Sequence, residues 1–317
     1  MSGLLLALRR AGFLLVSLFI ASVLVFLTCA VLPGDPARVA LGVEATEEAV
    51  AALRRDLGVD RSLVAQYADW VGGLPRGDFG RSYVTQVDIG EQIADRLGVT
   101  LSLVLGGMVV ALLIAVPFGV LAAVRHRDAS GTALTVGSQL GLAVPSFWAG
   151  ILLAYVFAVR LRWLPASGYT NLADGAVEWV RHLLLPWLAL GLVQGAVLMR
   201  YVRSAVLDVL REDFMRTARA VGRTKTGALW RHGVRNAAIP VVTVLGVQLS
   251  TLLVGAIIIE SVFTLPGIGT MLLQGVANRD LLLVQGTIMV LVGFVLALNW
   301  LVEVLYTVLD PRLRAAT

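Results

Sequence analysis

A polar stretch at residues 206–240, VLDVLREDFMRTARAVGRTKTGALWRHGVRNAAIP, separates two long apolar segments and decides how the chain can fold. Apolar residues recur in its first half at spacings of three and four, and arginines follow the same period on another side. This pattern predicts an amphipathic helix. The apolar set is Leu207, Leu210, Phe214, Ala218 and Val221, and the basic set is Arg216, Arg219 and Arg223.

The second half of the stretch predicts a return of the chain toward the membrane. Gly222 is expected to end the first helix, and residues 223–227 to form a turn. Trp230 and Val234 then suggest a second short helix that runs into Pro240. The result is a helical hairpin between two spans. Charge alone leaves open that this basic loop serves only membrane topology.

Composition places the chain in a membrane. Hydrophobic residues make up 58% of its 317 residues and charged residues 15%, and the mean hydropathy is +0.84. These values lie outside the range of soluble domains. The formal charge of +5 comes from arginines beside apolar segments, which argues for membrane topology and against nucleic-acid binding.

Six apolar segments are long enough to be membrane spans, and the basic residues of the short connections predict that both termini are cytosolic. The first is too long for the core of a signal peptide, so we expect an uncleaved span. The segments are residues 11–32, 97–124, 132–159, 183–199, 239–263 and 281–309. The predicted organisation is a first span at 1–32, an outer region at 33–96 and a five-helix core at 97–317 that contains the loop 206–240.

The outer region carries seven arginines against eleven acidic residues, so it is net negative and is expected outside the cytosol. Two helices are predicted there, at 47–57 behind Thr46 and at 61–71 behind Asp60. An apolar stripe on the second helix must pack against something. It consists of Val64, Tyr67, Ala68 and Val71.

Six neutral polar side chains lie within the predicted spans: Gln139, Ser146, Gln194, Gln248, Ser250 and Thr251. They either join helices by hydrogen bonds or line a cavity, since polar groups avoid lipid. Pro145 likewise indicates either a simple kink or a kink beside a translocation path. Span centres without acidic residues or histidine, with Glu260 and Glu303 toward the span ends, favour an external motor over an ion gradient.

No catalytic or metal site is predicted. Lys225 is the sole lysine and Thr224 precedes it, so the chain has no Walker A motif and cannot bind ATP by that route. Three histidines and one cysteine show no metal-ligand spacing. We therefore expect no cofactor in this chain.

The run RTARAVG at residues 216–222, followed by Ile239-Pro240, resembles the EAA loop of ABC-importer membrane subunits. Arg216 in the acidic position and the longer interval to Pro240 resemble the dipeptide/oligopeptide permease branch. Further similarities to this branch are LPGDP at 32–36, GDFGRS at 77–82 and LPASGY at 164–169.

The resemblance implies an all-α integral membrane protein of the bacterial cytoplasmic (inner) membrane. Six transmembrane helices of the type I ABC importer permease fold are expected, with an extracytoplasmic elaboration after the first span. Implied partners are a second homologous permease subunit, two ABC ATPase subunits that bind ATP and Mg, and an extracytoplasmic peptide-binding protein. The ATPase-coupling residues would be Phe214, Arg216, Thr217, Ala218, Arg219, Ala220 and Gly222.

Several functional hypotheses stay open on sequence alone. Related permeases could import nickel, glutathione, opines or oligosaccharides in place of peptides. An ion-driven secondary transporter or channel is the alternative from another class, and a structural membrane-assembly subunit is a third.

Overall fold

The computed structural model describes residues 3–31, 35–42 and 45–309, and within them it is helical, with one isolated bridge between Arg81 and Asp88. The α-helices are α1 (Gly3–Val31), α2 (Pro36–Leu41), α3 (Glu47–Asp56), α4 (Leu63–Gly73), α5 (Ile89–Val124), α6 (Ala129–Ala143), α7 (Ser146–Leu153), α8 (Ala176–Arg211), α9 (Asp213–Ala220), α10 (Lys225–Ala228), α11 (Val234–Phe263), α12 (Ile268–Ala277) and α13 (Leu281–Leu309). The all-α prediction is confirmed. Residues 32–34 of the LPGDP motif and the side chain of Glu303 lie outside the described part.

Five helical stretches are long and apolar enough to cross a membrane: Arg9–Val31, Ile89–Val124, Ala176–Arg211, Lys225–Phe263 and Leu281–Val302. A sixth span is obtained if the pair Ala129–Ala143 and Ser146–Arg160, bent by 97°, counts as one. The break falls at Val144, whose backbone is extended. Pro145 causes this, because its ring disfavours the helical conformation of the preceding residue. The predicted kink is therefore a sharp break.

The helical hairpin predicted after Gly222 is wrong in its second half. Residues 225–263 form one helical run, with a π turn at Leu229–Gly233, and Pro240 lies inside α11. A proline removes one backbone hydrogen bond, which bends a helix but need not end it when the flanking turns are held. The helix that contains the fifth predicted span therefore begins well before residue 239.

Contacts divide the chain into two compact units. Unit 1 comprises Met1–Val99 and Pro266–Ala297, and unit 2 comprises Thr100–Leu265 and Leu298–Thr317. The boundary that the sequence suggested at residue 97 concerns membrane sides and stays a prediction.

In unit 1, α4 packs against α1 through a small aromatic core. Val25, Phe26, Trp70 and Met289 are buried together, and the rings of Phe26 and Tyr67 meet edge to face at 5.3 Å. The predicted stripe on α4 is therefore partly wrong. Val64 is 79% exposed and Trp70 is buried. The helix also begins later than predicted, with Ser62 as its N-cap instead of Asp60, whereas Thr46 caps α3 as predicted.

Asp280 fixes an outer loop of unit 1 to the start of α13. Its buried carboxylate accepts hydrogen bonds from the backbone N–H groups of Leu283 (3.3 Å), Tyr83 (3.3 Å) and Val84 (3.4 Å). The hydroxyl of Ser82 donates to the same carboxylate. One side chain thus caps a helix and satisfies a loop nearly two hundred residues earlier in the chain.

In unit 2, α5 and α8 approach closely where glycines lie four residues apart. A Cβ at Gly191 would lie 2.4 Å from Val110 Cγ1, and one at Gly195 would lie 3.1 Å from Ile114 Cβ. Small residues at this spacing allow two helix backbones to pack in a membrane. At the far end of α11, the fully buried Glu260 accepts a 2.6 Å hydrogen bond from Thr100 Oγ1.

Candidate functional site

The predicted amphipathic helix is divided at Glu212, whose extended backbone separates α8 from α9. Leu207 therefore belongs to α8, and its face does not continue into α9. Met215, at 1% exposure, is the buried residue of α9, whereas Val221 is 79% exposed. The predicted apolar face is wrong because the extended residue at 212 interrupts the helical period.

All but one of the predicted coupling residues lie on α9: Phe214, Arg216, Thr217, Ala218, Arg219 and Ala220. Arg216 pairs with Asp213 at 3.2 Å, but these side chains are 74% and 94% exposed, so the pair contributes little stability. The basic side of this helix is accordingly available to a partner.

Gly222 ends α9 as predicted. Its φ is +92°, in the left-handed region. The N–H of Gly222 donates to the carbonyl of Arg219 (3.0 Å), and the N–H of Arg223 donates to the carbonyl of Ala218 (3.3 Å). These two bonds form a Schellman cap. Thr224 then caps α10 through a 3.1 Å bond from Gly227 N, so the turn has defined geometry at both ends.

A hollow of about 330 Å³ opens beside α9 and is lined by Phe214, Thr217, Ala218 and His232. Three of these residues belong to the predicted coupling set. His232 was missed, because a lone histidine in a basic loop carries no pattern. The side chains of Thr217 and Ala218 are small, which lets another backbone come close to the helix.

The second candidate site is a cavity of about 520 Å³ in unit 2. It brings together four of the six polar residues named from the sequence: Ser146 at the start of α7, Gln194 on α8, and Ser250 and Thr251 on α11. The remaining wall is apolar and includes Leu190, Val193, Val247, Leu252, Val254 and Ile258. Sequence patterns could not find these residues, since apolar side chains are ordinary in a membrane helix.

This cavity offers hydrogen bonds without charge. Gln194 is 5% exposed, and its Nε2 has no acceptor within the described residues. The hydroxyls of Ser250 and Thr251 donate to carbonyls of their own helix, at 3.3 and 3.1 Å, so they keep lone pairs that can accept. The wall therefore presents these two acceptors and the hydroxyl of Ser146, which can donate or accept, whereas Gln194 Nε2 is covered by the surrounding atoms.

Two predicted pathway residues lie elsewhere. Gln139 is exposed on α6, and Gln248 is buried at 7% exposure but does not line this cavity. Among the described residues, no three His, Cys, Asp or Glu side chains group as metal ligands. The expectations of no metal, no cofactor and no catalytic site stay predictions.

Long apolar helices, a sharply broken span and a capped helical turn within the basic loop are the features of an α-helical, multi-pass membrane protein. The chain belongs to the family of binding-protein-dependent transport system inner membrane components, whose model matches residues 115–315. The N-terminal model for membrane components of the same transport systems matches residues 4–104.

Relatives of known name cover nearly the whole chain. The sequence is 37% identical to a "Probable peptide ABC transporter permease protein" of Sinorhizobium fredii, over 97% of this chain and 98% of that protein. It is 40% identical to the glutathione transport system permease protein GsiC of Escherichia coli, over 96% and 97%.

Membership of this family shows that the chain is a membrane protein and a component of a larger complex. It is a multi-pass inner membrane protein with the type I ABC permease fold. It is the permease component of an ABC importer that also contains ATPase and binding-protein components. The sequence-based family assignment is confirmed.

Proposed function

We propose that this chain forms, with a second homologous permease subunit, the path by which di- and oligopeptides cross the cytoplasmic membrane by alternating access. The observation that carries the proposal is the cavity of Ser146, Gln194, Ser250 and Thr251. A peptide backbone alternates neutral donors and acceptors, and this wall offers both without selecting a charge. The named peptide permease of Sinorhizobium fredii supports the same substrate class.

Two ATPase subunits would supply the energy and bind ATP and Mg, while this chain itself is non-catalytic and holds no cofactor. Helix α9 would lie in a groove of one ATPase subunit, with the hollow at Phe214 and Ala218 as the contact. Moving a two-state equilibrium from mostly inward-facing to mostly outward-facing takes about 5.5 kcal/mol of differential binding. Because α9 is joined to α8 and α10, motion of the groove would be transmitted to both.

The proposed arrangement places residues 206–240 and both termini in the cytosol. Residues 33–96 would then face the opposite side, where an extracytoplasmic peptide-binding protein delivers substrate. The excess of arginine in the short connections supports this orientation.

The proposed function is tested by purifying this chain with the products of its neighbouring genes in lipid nanodiscs. We expect ATPase subunits to co-purify, and peptide-loaded binding protein to stimulate ATP hydrolysis. Recovery of the chain alone, without nucleotide hydrolysis in any preparation, would contradict the assembly. Stimulation by a loaded binding protein that carries no peptide or glutathione would contradict the substrate class.

Replacing Gln194 by methionine is expected to lower peptide uptake roughly threefold to tenfold, the effect of one lost neutral hydrogen bond. Thermal stability should not fall, because the variant removes a buried donor that has no partner. Uptake of a labelled tripeptide and the unfolding midpoint are measured together. Gln139→Met, on the exposed side of α6, is the matched control. Equal uptake by both variants would remove Gln194 from the path.

Glutathione is the second candidate substrate, because it is a tripeptide and because the permease of Escherichia coli named for it is 40% identical. Competition of unlabelled glutathione against labelled tripeptide in the uptake assay separates the two. Competition that becomes complete as unlabelled glutathione is raised to large excess indicates a shared path, and no competition at large excess excludes glutathione.

A further inference from the structure

An apolar groove of about 240 Å³ in unit 2 has no role in the translocation proposed above. It lies between α5, α8, the π turn at Leu229–Gly233 and the first turns of α11, and we call it the α5–α8–α11 groove. Each described residue in its wall has an apolar side chain, and the indole N–H of Trp230 is the one side-chain polar group among them. An apolar space of this kind excludes water and takes up apolar groups.

The groove lies at the end of the helices that adjoins the basic loop. Val120 and Val206 line it, and they lie four residues before the end of α5 and five before the end of α8. The π turn packs against the same end of α8, since a Cβ at Gly233 would lie 2.9 Å from Val209 Cγ1. Trp230 also lines the groove and is 63% exposed. An exposed tryptophan at the end of a span is typical of the boundary between membrane and water.

One side of the groove is open. Its lining residues Val116 and Val234 are each 39% exposed, and Ala238 is exposed as well. These residues belong to helical stretches that are long and apolar enough to cross a membrane, so hydrocarbon chains of the bilayer reach them. The groove is therefore accessible to a lipid acyl chain.

Two cations flank the groove at its loop end. Arg231 and Arg235 directly follow the lining residues Trp230 and Val234 on one continuous helical run. Successive residues of a helix are separated by roughly a quarter turn, and residues four apart are neighbours on its surface. The two arginines are therefore neighbours beside the side that lines the groove. Both are exposed, and neither forms an ion pair within the described part of the chain. From residue 214 to residue 259 the sequence has six Arg and Lys residues and no Asp or Glu, so no nearby carboxylate in the sequence neutralises them.

We propose that the α5–α8–α11 groove binds an acyl chain of an anionic phospholipid, whose phosphate lies near Arg231 and Arg235. A phospholipid carries an apolar chain and an anion on one molecule, which matches an apolar groove with cations beside its loop end. A transmembrane helix of another subunit offers apolar side chains alone, since charged residues are rare in such helices, and it would leave the arginines without a counter-ion. The orientation proposed above places this lipid in the cytosolic leaflet, where anionic lipids attract basic segments. The choice of leaflet rests on that proposed orientation, whereas the binding does not.

Binding is measured by native mass spectrometry of the purified transporter in detergent, without binding protein or ATP. The transporter is titrated with dioleoyl phosphatidylglycerol or with dioleoyl phosphatidylcholine, which have the same chains and differ in net charge. We expect saturable binding with a Kd at least about tenfold lower for the anionic lipid, because each arginine near the headgroup changes its affinity roughly fivefold. Arg231→Gln/Arg235→Gln should remove this preference. Arg231→Lys/Arg235→Lys keeps both charges and should retain it.

A matched pair of valines on α5 tests the groove itself. Val116→Phe places a ring in the space of the acyl chain and should raise Kd for both lipids at least about fourfold, the effect of one displaced methylene group. Val109 is 55% exposed and does not line the groove, so Val109→Phe should leave both Kd values unchanged. The amount of each variant in the membrane fraction shows whether it is inserted.

Several results would overturn the proposal. They are absence of saturable binding, equal Kd for the two lipids with the wild type, and a preference that persists in Arg231→Gln/Arg235→Gln. Equal lipid binding by Val116→Phe and Val109→Phe would also reject the groove as the site. If Val116→Phe alone reduced recovery of the second permease subunit and left lipid binding intact, the groove would belong to the interface between subunits. Because no peptide or ATP is present, failure of the proposed peptide transport would leave these measurements unaffected.

Discussion

Replacing Gly222 by valine is expected to lower peptide uptake at least about tenfold while ATP hydrolysis continues. Gly222 has a φ of +92°, and a side chain there costs roughly 1–2 kcal/mol, with β-branched residues at the upper end. A Cβ would meet nothing within 4 Å, so the strain comes from the backbone alone. Relieving it would change the angle at which α9 leaves its turn, and hydrolysis would then no longer be transmitted to α8.

Two variants test whether the effect belongs to this turn. Gly222→Asn should retain most uptake, because asparagine tolerates the left-handed region. Gly77→Val imposes the same kind of strain, since Gly77 has a φ of +74° and open space around its Cβ position, but it lies in unit 1. It should leave the ratio of hydrolysis to uptake unchanged. Wild-type uptake by Gly222→Val would contradict the proposed coupling.

Replacing Ala218 by glutamate is expected to release the ATPase subunits. Ala218 lines the hollow beside α9 together with Phe214 and Thr217. In the proposed complex this hollow is covered, so the new carboxylate would be buried without a partner at a cost of about 3–5 kcal/mol. That cost corresponds to a loss of affinity on the order of a hundredfold or more. The loss of affinity is measured by the amount of ATPase subunit that co-purifies with the chain in nanodiscs.

Ala218→Ser is the matched variant, because it adds a single hydroxyl and no charge, and it should keep the ATPase subunits bound. Both variants should insert normally, which the amount of chain in the membrane fraction shows. Undiminished co-purification of ATPase subunits with Ala218→Glu would reject the hollow as the interface.

Hydropathy and end signals in the sequence predicted much of the fold. The long apolar segments are helices, although the third is broken at Val144, Thr46 caps α3, and Gly222 ends α9. These features depend on a few neighbouring residues, so local patterns are enough to identify them. The family assignment also came from short motifs.

What the sequence did not predict depends on neighbours in space. Glutamate is a good helix former, so nothing local indicated the break at Glu212. On α4, one rotation of the apolar stripe buries Val64 and another buries Trp70, and the position of Phe26 on α1 selects Trp70. A proline predicts a bend, but the 97° at Pro145 is set by the helices packed around it.

The candidate cavity in unit 2 was likewise predicted only in part. Residue type placed Gln139, Gln194 and Gln248 in one set, because all three are polar groups in apolar helices. Only Gln194 lines the cavity. Which side of a helix faces a cavity depends on how α7, α8 and α11 are rotated about their axes relative to one another. These rotations are set by packing between helices, so local sequence patterns do not predict them.

The bond between Ser82 and Asp280 joins residues 198 positions apart, and this has a consequence for how the protein is made. A ribosome that has produced only the first hundred residues has made the part of unit 1 that contains Trp70 and the loop at Ser82, but neither Met289 nor Asp280. The apolar face around Trp70 and the backbone amides of the loop at Ser82 stay uncovered until the last helix enters the bilayer. Unit 1 is therefore completed late in biogenesis, and C-terminal truncation would leave a nascent chain exposed to misassembly and proteolysis.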